Sequence, residues 1–98
     1  MNSFTEKAVH IIHSIPKGKV MTYGSIAREA GNARAARQVA RILHSMSRKH
    51  NLPWHRVVNA KGEIAIKNEE TALEQQLRLE REGVTVTNRI INLKVFHW

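Results

Sequence analysis

Residues 22–47 read TYGSIAREAGNARAARQVARILHSMS, and this stretch decides the fold. The hydroxyl group of Thr22 is a suitable N-cap for a short helix over residues 23–30. Gly31 suits the left-handed conformation that commonly follows the last residue of a helix. A second helical pattern starts directly after this tight turn. Two helices joined by a short turn that contains glycine are typical of a helix-turn-helix, so the sequence predicts one here.

The second helix is predicted over residues 33–47 with Asn32 as its N-cap, and its two faces differ chemically. At about 100° per residue, an arc of roughly 80° collects the basic side chains of Arg34, Arg37, Arg41, His44 and Arg48. The opposite side collects the apolar side chains of Ala36, Val39, Ala40, Leu43 and Met46. Residues 30–62 contain no Asp or Glu, whereas a face that is only solvated usually mixes both signs of charge. This pattern favours contact with phosphates over a merely solvated face.

Two further helices are predicted from capping boxes, in which a hydroxyl and a carboxylate satisfy free backbone N–H groups. Residues 3–6, Ser-Phe-Thr-Glu, begin the first helix, whose apolar residues recur at helical spacing. Pro16 and Gly18 end it with a turn. Residues 71–74, Thr-Ala-Leu-Glu, begin the last helix, and Gly83 is its expected stop.

The segments between these helices predict a small β hairpin. Residues 56–58 and 63–66 are typical of strands, and residues 59–62, Asn-Ala-Lys-Gly, form the loop between them. A hairpin after a helix-turn-helix indicates a winged helix, so the predicted fold class is mainly α with a small β hairpin. We predict one domain over residues 1–98, and the alternating tail after Val86 is expected to close the core.

Composition excludes several classes of function. The 98 residues include 16 Lys and Arg against 8 acidic residues, for a net charge of +8, which favours a polyanionic partner. The absence of cysteine excludes disulfides, cysteine-ligated zinc, iron–sulfur clusters and a thiol nucleophile. The spacing of the histidines suggests no metal site, and no cofactor is expected. No apolar run is long enough to cross a membrane, and a signal-peptide pattern is lacking. We therefore expect a cytoplasmic protein, associated with the nucleoid if bacterial.

The segment around Trp54 is unusual for a strand. Trp54 follows Pro53 directly and precedes His55 and Arg56. Taken alone, these residues favour a tryptophan that fills the core and a histidine that is hydrogen-bonded there.

Three segments resemble a known family: residues 15–24 (IPKGKVMTYG), residues 30–39 (AGNARAARQV) and residues 53–58 (PWHRVV). In this order and spacing they resemble the C-terminal DNA-binding domain of O6-alkylguanine-DNA alkyltransferases, from about residue 4 to residue 86. In that family the third motif has a cysteine where Trp54 stands here, and the cysteine accepts the alkyl group. Tryptophan at this position is the hallmark of the alkyltransferase-like proteins, which bind alkylated DNA without repairing it.

The resemblance implies that the chain is not an enzyme, although its family is one of methyltransferases. Alkyl transfer needs a soft nucleophile activated by a base, and an indole offers no such lone pair. His55 and Glu82 match the histidine and glutamate that activate the cysteine. In this chain we expect them to be relics that hold the loop.

The same resemblance implies a set of DNA contacts. Arg37 matches the arginine that replaces the flipped nucleotide in the base stack, and Tyr23 matches the tyrosine that presses on the target's phosphate. Small residues that let the helix lie close in the minor groove are matched by Ala33, Ala35 and Ala36. Phosphate contacts are expected from Arg34, Arg41 and Arg48. The lesion pocket is expected from Tyr23, Pro53, Trp54, Val57 and Lys67; Lys67 stands where relatives that bind lesions often have an arginine.

Three hypotheses follow. The leading hypothesis is a monomeric, non-enzymatic sensor that flips O6-alkylguanine from duplex DNA and flags it for nucleotide excision repair proteins. The alternative is a general winged-helix DNA-binding or nucleoid protein without preference for lesions. A third, remote hypothesis is a glycosylase or hydrolase that uses His55 with Glu82, although no paired nucleophile is evident.

Overall fold

The computed structural model describes residues 2–98, and α-helices dominate them. The helices are α1 (Ser3–Ser14), α2 (Tyr23–Glu29), α3 (Ala36–His50), α4 (Glu69–Arg81) and α5 (Leu93–Phe96). A single 3-10 turn (Trp54–Arg56) and two short strands, β1 (Met21–Thr22) and β2 (Val57–Val58), complete the regular structure. The mainly helical fold class is therefore confirmed. No helix within residues 2–98 combines the length and the hydropathy that a membrane crossing requires.

The helix-turn-helix forms where the sequence predicts it, but α3 starts later. The Thr22 hydroxyl oxygen accepts from the Ser25 backbone N–H at 3.0 Å, and the Ser25 hydroxyl oxygen accepts from the Thr22 N–H at 3.0 Å. Gly31 has the expected positive φ of 103°. The predicted cap of α3 is wrong: the side-chain oxygen of Asn32 accepts from the Arg34 N–H at 3.1 Å. Asn32 therefore stabilises a turn, and α3 begins only at Ala36.

The other two capping boxes are also wrong, for a shared reason. The Asn2 side chain, not Ser3, caps α1 by accepting from the Thr5 N–H at 2.8 Å. The Asn68 side chain, not Thr71, caps α4 by accepting from the Thr71 N–H at 2.9 Å. Asn is as good an N-cap as Ser or Thr. An Asn that lies earlier in the chain lets additional helical residues form.

The predicted hairpin is wrong as well, because the small sheet is parallel. Met21 in β1 lies opposite Val57 in β2. The turn at residues 59–62 does form, and the Gly62 N–H donates to the Asn59 carbonyl at 2.9 Å. The following segment pairs with the tail instead, since the Ile64 N–H donates to the Arg89 carbonyl at 2.9 Å. The tail thus takes the backbone groups that a hairpin would have used.

Two clusters of buried side chains form the core. The first lies among α1, α2 and α3 and continues to the chain around β2. The second, with Leu79 of α4 and Ile91 of the tail at its centre, lies beneath the C-terminal half. The Val20 N–H donates to the Phe96 carbonyl, and the Trp98 N–H donates to the Val20 carbonyl, both at 2.9 Å. The prediction that the tail closes the core is confirmed.

Candidate functional site

An open cleft of about 810 Å³ lies between α3, the 3-10 turn and α4. Its size is within the range of pockets that hold small ligands. Its lining side chains come from four parts of the chain: Tyr23 of α2; Ala40, Leu43, His44, Ser47 and Arg48 of α3, with Asn51 and Leu52 after it; Trp54, Val57 and Ile66; and Thr71, Glu74 and Arg78 of α4.

The α3 side of the cleft continues into an exposed basic surface. We call Arg37, Arg41, His44 and Arg48 the basic face of α3; all four are exposed. None of them forms an ion pair with a residue in the described range 2–98. Arg34 is also exposed, but it lies in the turn before the helix. A group of exposed basic side chains without ion-pair partners is suited to bind phosphates.

One residue that was assigned to the core of α3 belongs to the cleft. Ala40 was expected to be buried, but it is exposed and lines the cleft. Ile42, which the helical pattern did not single out, is buried instead. Of the three alanines predicted to lie against the DNA, Ala35 is buried, Ala36 is half-buried and Ala33, in the turn before α3, is exposed.

The aromatic part of the cleft comes from Tyr23 and Trp54, both half-buried. Tyr23 is the first residue of α2, and burial raises the pKa of its phenol. It therefore keeps its hydroxyl proton at neutral pH and can donate a hydrogen bond. Val57 lies buried at the base of the cleft. Of the five residues predicted for a lesion pocket, these three line the cleft.

Pro53 and Lys67 are not among the lining residues. Pro53 is half-buried and directly precedes the 3-10 turn. Lys67 is exposed and follows Ile66, which does line the cleft. Both therefore lie next to the cleft in the chain, and their predicted contacts with a lesion stay predictions.

The α4 side of the cleft was not predicted from the sequence. The Arg78 guanidinium carbon lies 5.5 Å from the centroid of the Trp54 ring, which is within cation–π range. One Arg78 nitrogen also lies 2.5 Å from the Glu74 carboxylate, four residues earlier in the helix. The spacing of Glu74 and Arg78 does predict a helical ion pair. It does not predict which part of the molecule the pair faces.

At the 3-10 turn and the end of α4, three titratable residues form a largely buried group, which we call the Glu82 cluster: His55, Arg56 and Glu82. Arg56 donates from Nε to Glu82 Oε1 at 2.9 Å and from Nη2 to Oε2 at 2.8 Å. His55 Nε2 lies 2.8 Å from Oε2. The Glu82 and Arg56 side chains are only 13% and 12% exposed. Arg56 also donates to the Ile15 carbonyl at 2.8 Å, so the cluster links α4 to the end of α1.

The pKa values in this cluster follow from its contacts. Burial raises the pKa of the Glu82 carboxyl, but hydrogen bonds from Arg56, His55 and the Gly18 N–H outweigh it and hold the pKa at about 2. Burial lowers the pKa of His55 more than the neighbouring carboxylate raises it. His55 is therefore neutral at pH 7. Because Glu82 accepts at Nε2, that nitrogen carries the proton.

The other ring nitrogen of His55, Nδ1, is buried without a hydrogen-bond partner in the described part of the chain. Its backbone is fixed by Gln75, a buried residue that the sequence analysis missed. The Gln75 side-chain amide donates to the His55 carbonyl at 3.2 Å and to the Val57 carbonyl at 3.0 Å. The arrangement holds the 3-10 turn and so sets the position of Trp54.

A second cavity, of about 840 Å³, lies in the C-terminal tail around Ile90, Val95 and Phe96. It shares no lining residue with the cleft, and no residue of the basic face of α3 borders it. Since the cleft, unlike this second cavity, combines an aromatic wall with that basic face, we take the cleft as the candidate functional site. Within residues 2–98 no group of three or more His, Cys, Asp or Glu side chains is placed to hold a metal ion.

The chain is similar to known proteins over most of its length. Residues 3–84 match the family described as 6-O-methylguanine DNA methyltransferase, DNA binding domain. A DNA base-flipping protein of Vibrio parahaemolyticus is 39% identical over 99 residues, covering 100% of this chain and 98% of the relative. Alkyltransferase-like protein 1 of Schizosaccharomyces pombe is 42% identical over 88 residues, covering 88% of this chain and 81% of the relative.

The fold is also that of a protein whose structure has been solved in complex with DNA. The crystal structure of S. pombe Atl1 with damaged DNA containing O6-carboxymethylguanine matches with a TM-score of 0.88 and 36% identity. The match covers 100% of this chain and 96% of that one, and it confirms the predicted fold type. The chain therefore belongs to the 6-O-methylguanine DNA methyltransferase DNA-binding family, and its relatives there include base-flipping and alkyltransferase-like proteins.

Proposed function

We propose that this chain is a non-enzymatic DNA-damage recognition protein. It binds duplex DNA that contains O6-alkylguanine, rotates the modified nucleotide out of the stack, and holds the base in the cleft. The observation that carries the proposal is the position of Trp54, whose half-buried indole walls a cleft directly beside the unpaired basic face of α3.

The energetics of flipping require such a combination. Extruding a base costs a few kcal/mol, and the pocket must restore stacking and hydrogen bonds to the base edge. Stacking on an aromatic side chain stabilises a base by about 1–3 kcal/mol. Trp54 offers that stacking surface, and the protonated Tyr23 hydroxyl offers a donor. Arg37 is exposed at the start of α3, and in this proposal it fills the gap that the flipped base leaves in the duplex.

The small side chains at the start of α3 support entry through the minor groove. Ala35 and Ala36 let the backbone approach the DNA closely, while Arg34, Arg41 and Arg48 contact phosphates on either side. The base code of the minor groove is degenerate. Binding there suits a search for damage that does not depend on sequence.

No alkyl transfer follows from binding. Trp54 stands where the resemblance places the acceptor cysteine, and the chain contains no cysteine. His55 keeps the position of a base but is bonded to Glu82 and serves the local fold. We propose that the bound monomer acts in the cytoplasm and flags the lesion for nucleotide excision repair proteins.

A paired titration tests the proposal. Fluorescence anisotropy with one duplex carrying a single O6-methylguanine and with its unmodified twin measures the preference, and mass spectrometry checks the protein before and after. We expect tighter binding of the lesion and an unchanged protein mass. Equal affinity for both duplexes would instead support a general DNA-binding protein. A methyl group on the protein, or a released base, would show an enzyme.

The variant Trp54→Ala separates the two binding hypotheses. Loss of the stacking surface is expected to weaken lesion binding by about 1–3 kcal/mol and to leave the unmodified duplex nearly unaffected. The matched control is Trp98→Ala, because Trp98 is exposed and lies in the tail. A general DNA-binding protein would bind both duplexes as before in either variant.

A further inference from the structure

Arg78 and Glu74 of α4 bring two opposite charges to the cleft. The proposed stacking of a base on Trp54 gives these charges no role. Arg78 lies over the Trp54 ring at 5.5 Å and pairs with Glu74 at 2.5 Å. All three side chains line the cleft. One turn of α4 therefore places a guanidinium between an aromatic face and a carboxylate, on the opposite side of the cleft from α3.

We infer that Arg78 determines lesion specificity and favours O6 substituents that end in a carboxylate over neutral alkyl groups. This inference rests on the proposed function, since it concerns which lesion the same cleft accepts. It assigns a role to a helix that the DNA contacts implied by the resemblance do not include.

The geometry of Arg78 suits an anionic substituent. A guanidinium has five N–H donors in a planar fork and binds carboxylates through two parallel hydrogen bonds. Its contact with the Trp54 ring keeps the group at the wall where a flipped base would stack. A carboxylate that extends from O6 of such a base would meet donors there. A methyl group would not.

The ion pair with Glu74 does not prevent Arg78 from binding the carboxylate of a substituent. The Arg78 and Glu74 side chains are 44% and 50% exposed, and ion pairs this exposed stabilise a protein little. A substituent carboxylate can therefore bind beside Glu74 or replace it at small cost. The other basic side chains that line the cleft are His44 and Arg48. Together with Arg78 they outnumber the single acidic residue.

Glu74 then has the opposite effect from Arg78. It competes with the substituent for the same donors and repels a second negative charge in the cleft. Removing the guanidinium should weaken the preference for an anionic lesion, whereas removing the carboxylate should strengthen it. Two substitutions one turn apart thus have predicted effects of opposite sign.

Three duplexes measure the preference: unmodified, with O6-methylguanine, and with O6-carboxymethylguanine. The readout is the ratio of Kd for the methyl lesion to Kd for the carboxymethyl lesion at fixed salt. We expect Arg78→Gln to lower this ratio about three- to tenfold and Glu74→Gln to raise it about twofold or more. The matched control is Arg81→Gln, which removes the same charge from an exposed position on α4 outside the cleft and should leave the ratio unchanged.

The outcomes separate this inference from the proposed function. If Arg78→Gln and Glu74→Gln leave the ratio unchanged while the methyl lesion still binds better than unmodified DNA, the inference is overturned and the proposed function stands. If neither lesion binds better than unmodified DNA, the proposed function is overturned and the inference with it. Should Arg78→Gln fail to fold, Glu74→Gln still decides, because a ratio that does not rise contradicts the competition.

Discussion

The basic face of α3 points to solvent without an acidic partner, whereas the basic residues of the Glu82 cluster surround one buried carboxylate. Both groups contain arginine, in residues 35–41 (AARQVAR) and in residues 53–58 (PWHRVV). In the first, no described residue pairs with Arg37, Arg41 or Arg48. In the second, Glu82 bonds both basic side chains and the Gly18 N–H.

This difference shows which charges are available for binding. A buried charge that has a partner contributes to the fold, and removing the partner leaves an uncompensated charge in a low dielectric. An exposed charge without a partner costs the fold little when it is removed. Substitutions in the Glu82 cluster should therefore change stability first, and substitutions on the basic face should change DNA affinity first.

The largest effect is expected from Glu82→Ala. The variant leaves Arg56 and His55 buried without their carboxylate, which typically costs about 3–5 kcal/mol of the free energy of unfolding. Chemical denaturation followed by circular dichroism measures the loss. The matched control is Glu80→Ala, an exposed residue on the same helix, which should change stability by less than about 0.5 kcal/mol. Similar stability of the two variants would contradict a structural role for the cluster.

Acidification should act on the same cluster without a substitution. Burial holds the pKa of His55 below its ordinary value of 6.5, so protonation favours the unfolded chain, and stability falls as the pH drops below about 6.5. Glu82 has a pKa of about 2 against 4.5, so its contribution is present above pH 4.5 and is lost between there and about 2.

Denaturation curves over this pH range measure both losses. The variant Glu82→Gln should show a flatter dependence below pH 4.5 than the unaltered chain, because its side chain does not titrate. Glu80→Gln should keep the original dependence. Parallel curves for Glu82→Gln and the unaltered chain would show that the carboxylate is not held in its charged form by its neighbours.

On the basic face, Arg37→Ala should have the largest effect. If Arg37 replaces the flipped nucleotide, its loss weakens lesion binding about tenfold, or roughly 1.4 kcal/mol, and weakens binding to unmodified DNA much less. Anisotropy titrations of both duplexes measure this difference, and the free energy of unfolding should stay unchanged. Equal losses on both duplexes would show that Arg37 only contacts a phosphate.

Local patterns were sufficient to predict the helix-turn-helix and the basic face, because both depend on neighbours within a few turns. Thr22, Gly31 and the spacing of the arginines from Arg37 to Arg48 carry that information. The N-caps of α1 and α4 were misplaced, because Asn2 and Asn68 cap these helices from positions earlier in the chain than Ser3 and Thr71. The start of α3 was misplaced because Asn32 stabilises a turn instead of capping the helix.

Contacts between distant segments were harder to predict. The hairpin failed because Arg89 supplies the carbonyl that Ile64 bonds, and this depends on how the tail returns. The α4 wall of the cleft was missed for the same reason, since Arg78 meets Trp54 only through tertiary packing. The pairing of His55 with Glu82 did come from the sequence, but through the resemblance and not through local spacing.

The smallest effect, and a test of the basic face as a whole, is expected from Arg41→Ala. One phosphate contact fewer should weaken binding to lesion and unmodified duplexes alike. It should also reduce the slope of log K against log salt by about 0.9. A KCl series with both duplexes measures the slope, with Arg81→Ala as the control for lost charge. If the slope of Arg41→Ala equals that of the control, the exposed charges of α3 are not the DNA-binding surface. The contrast with the Glu82 cluster would then rest on burial alone.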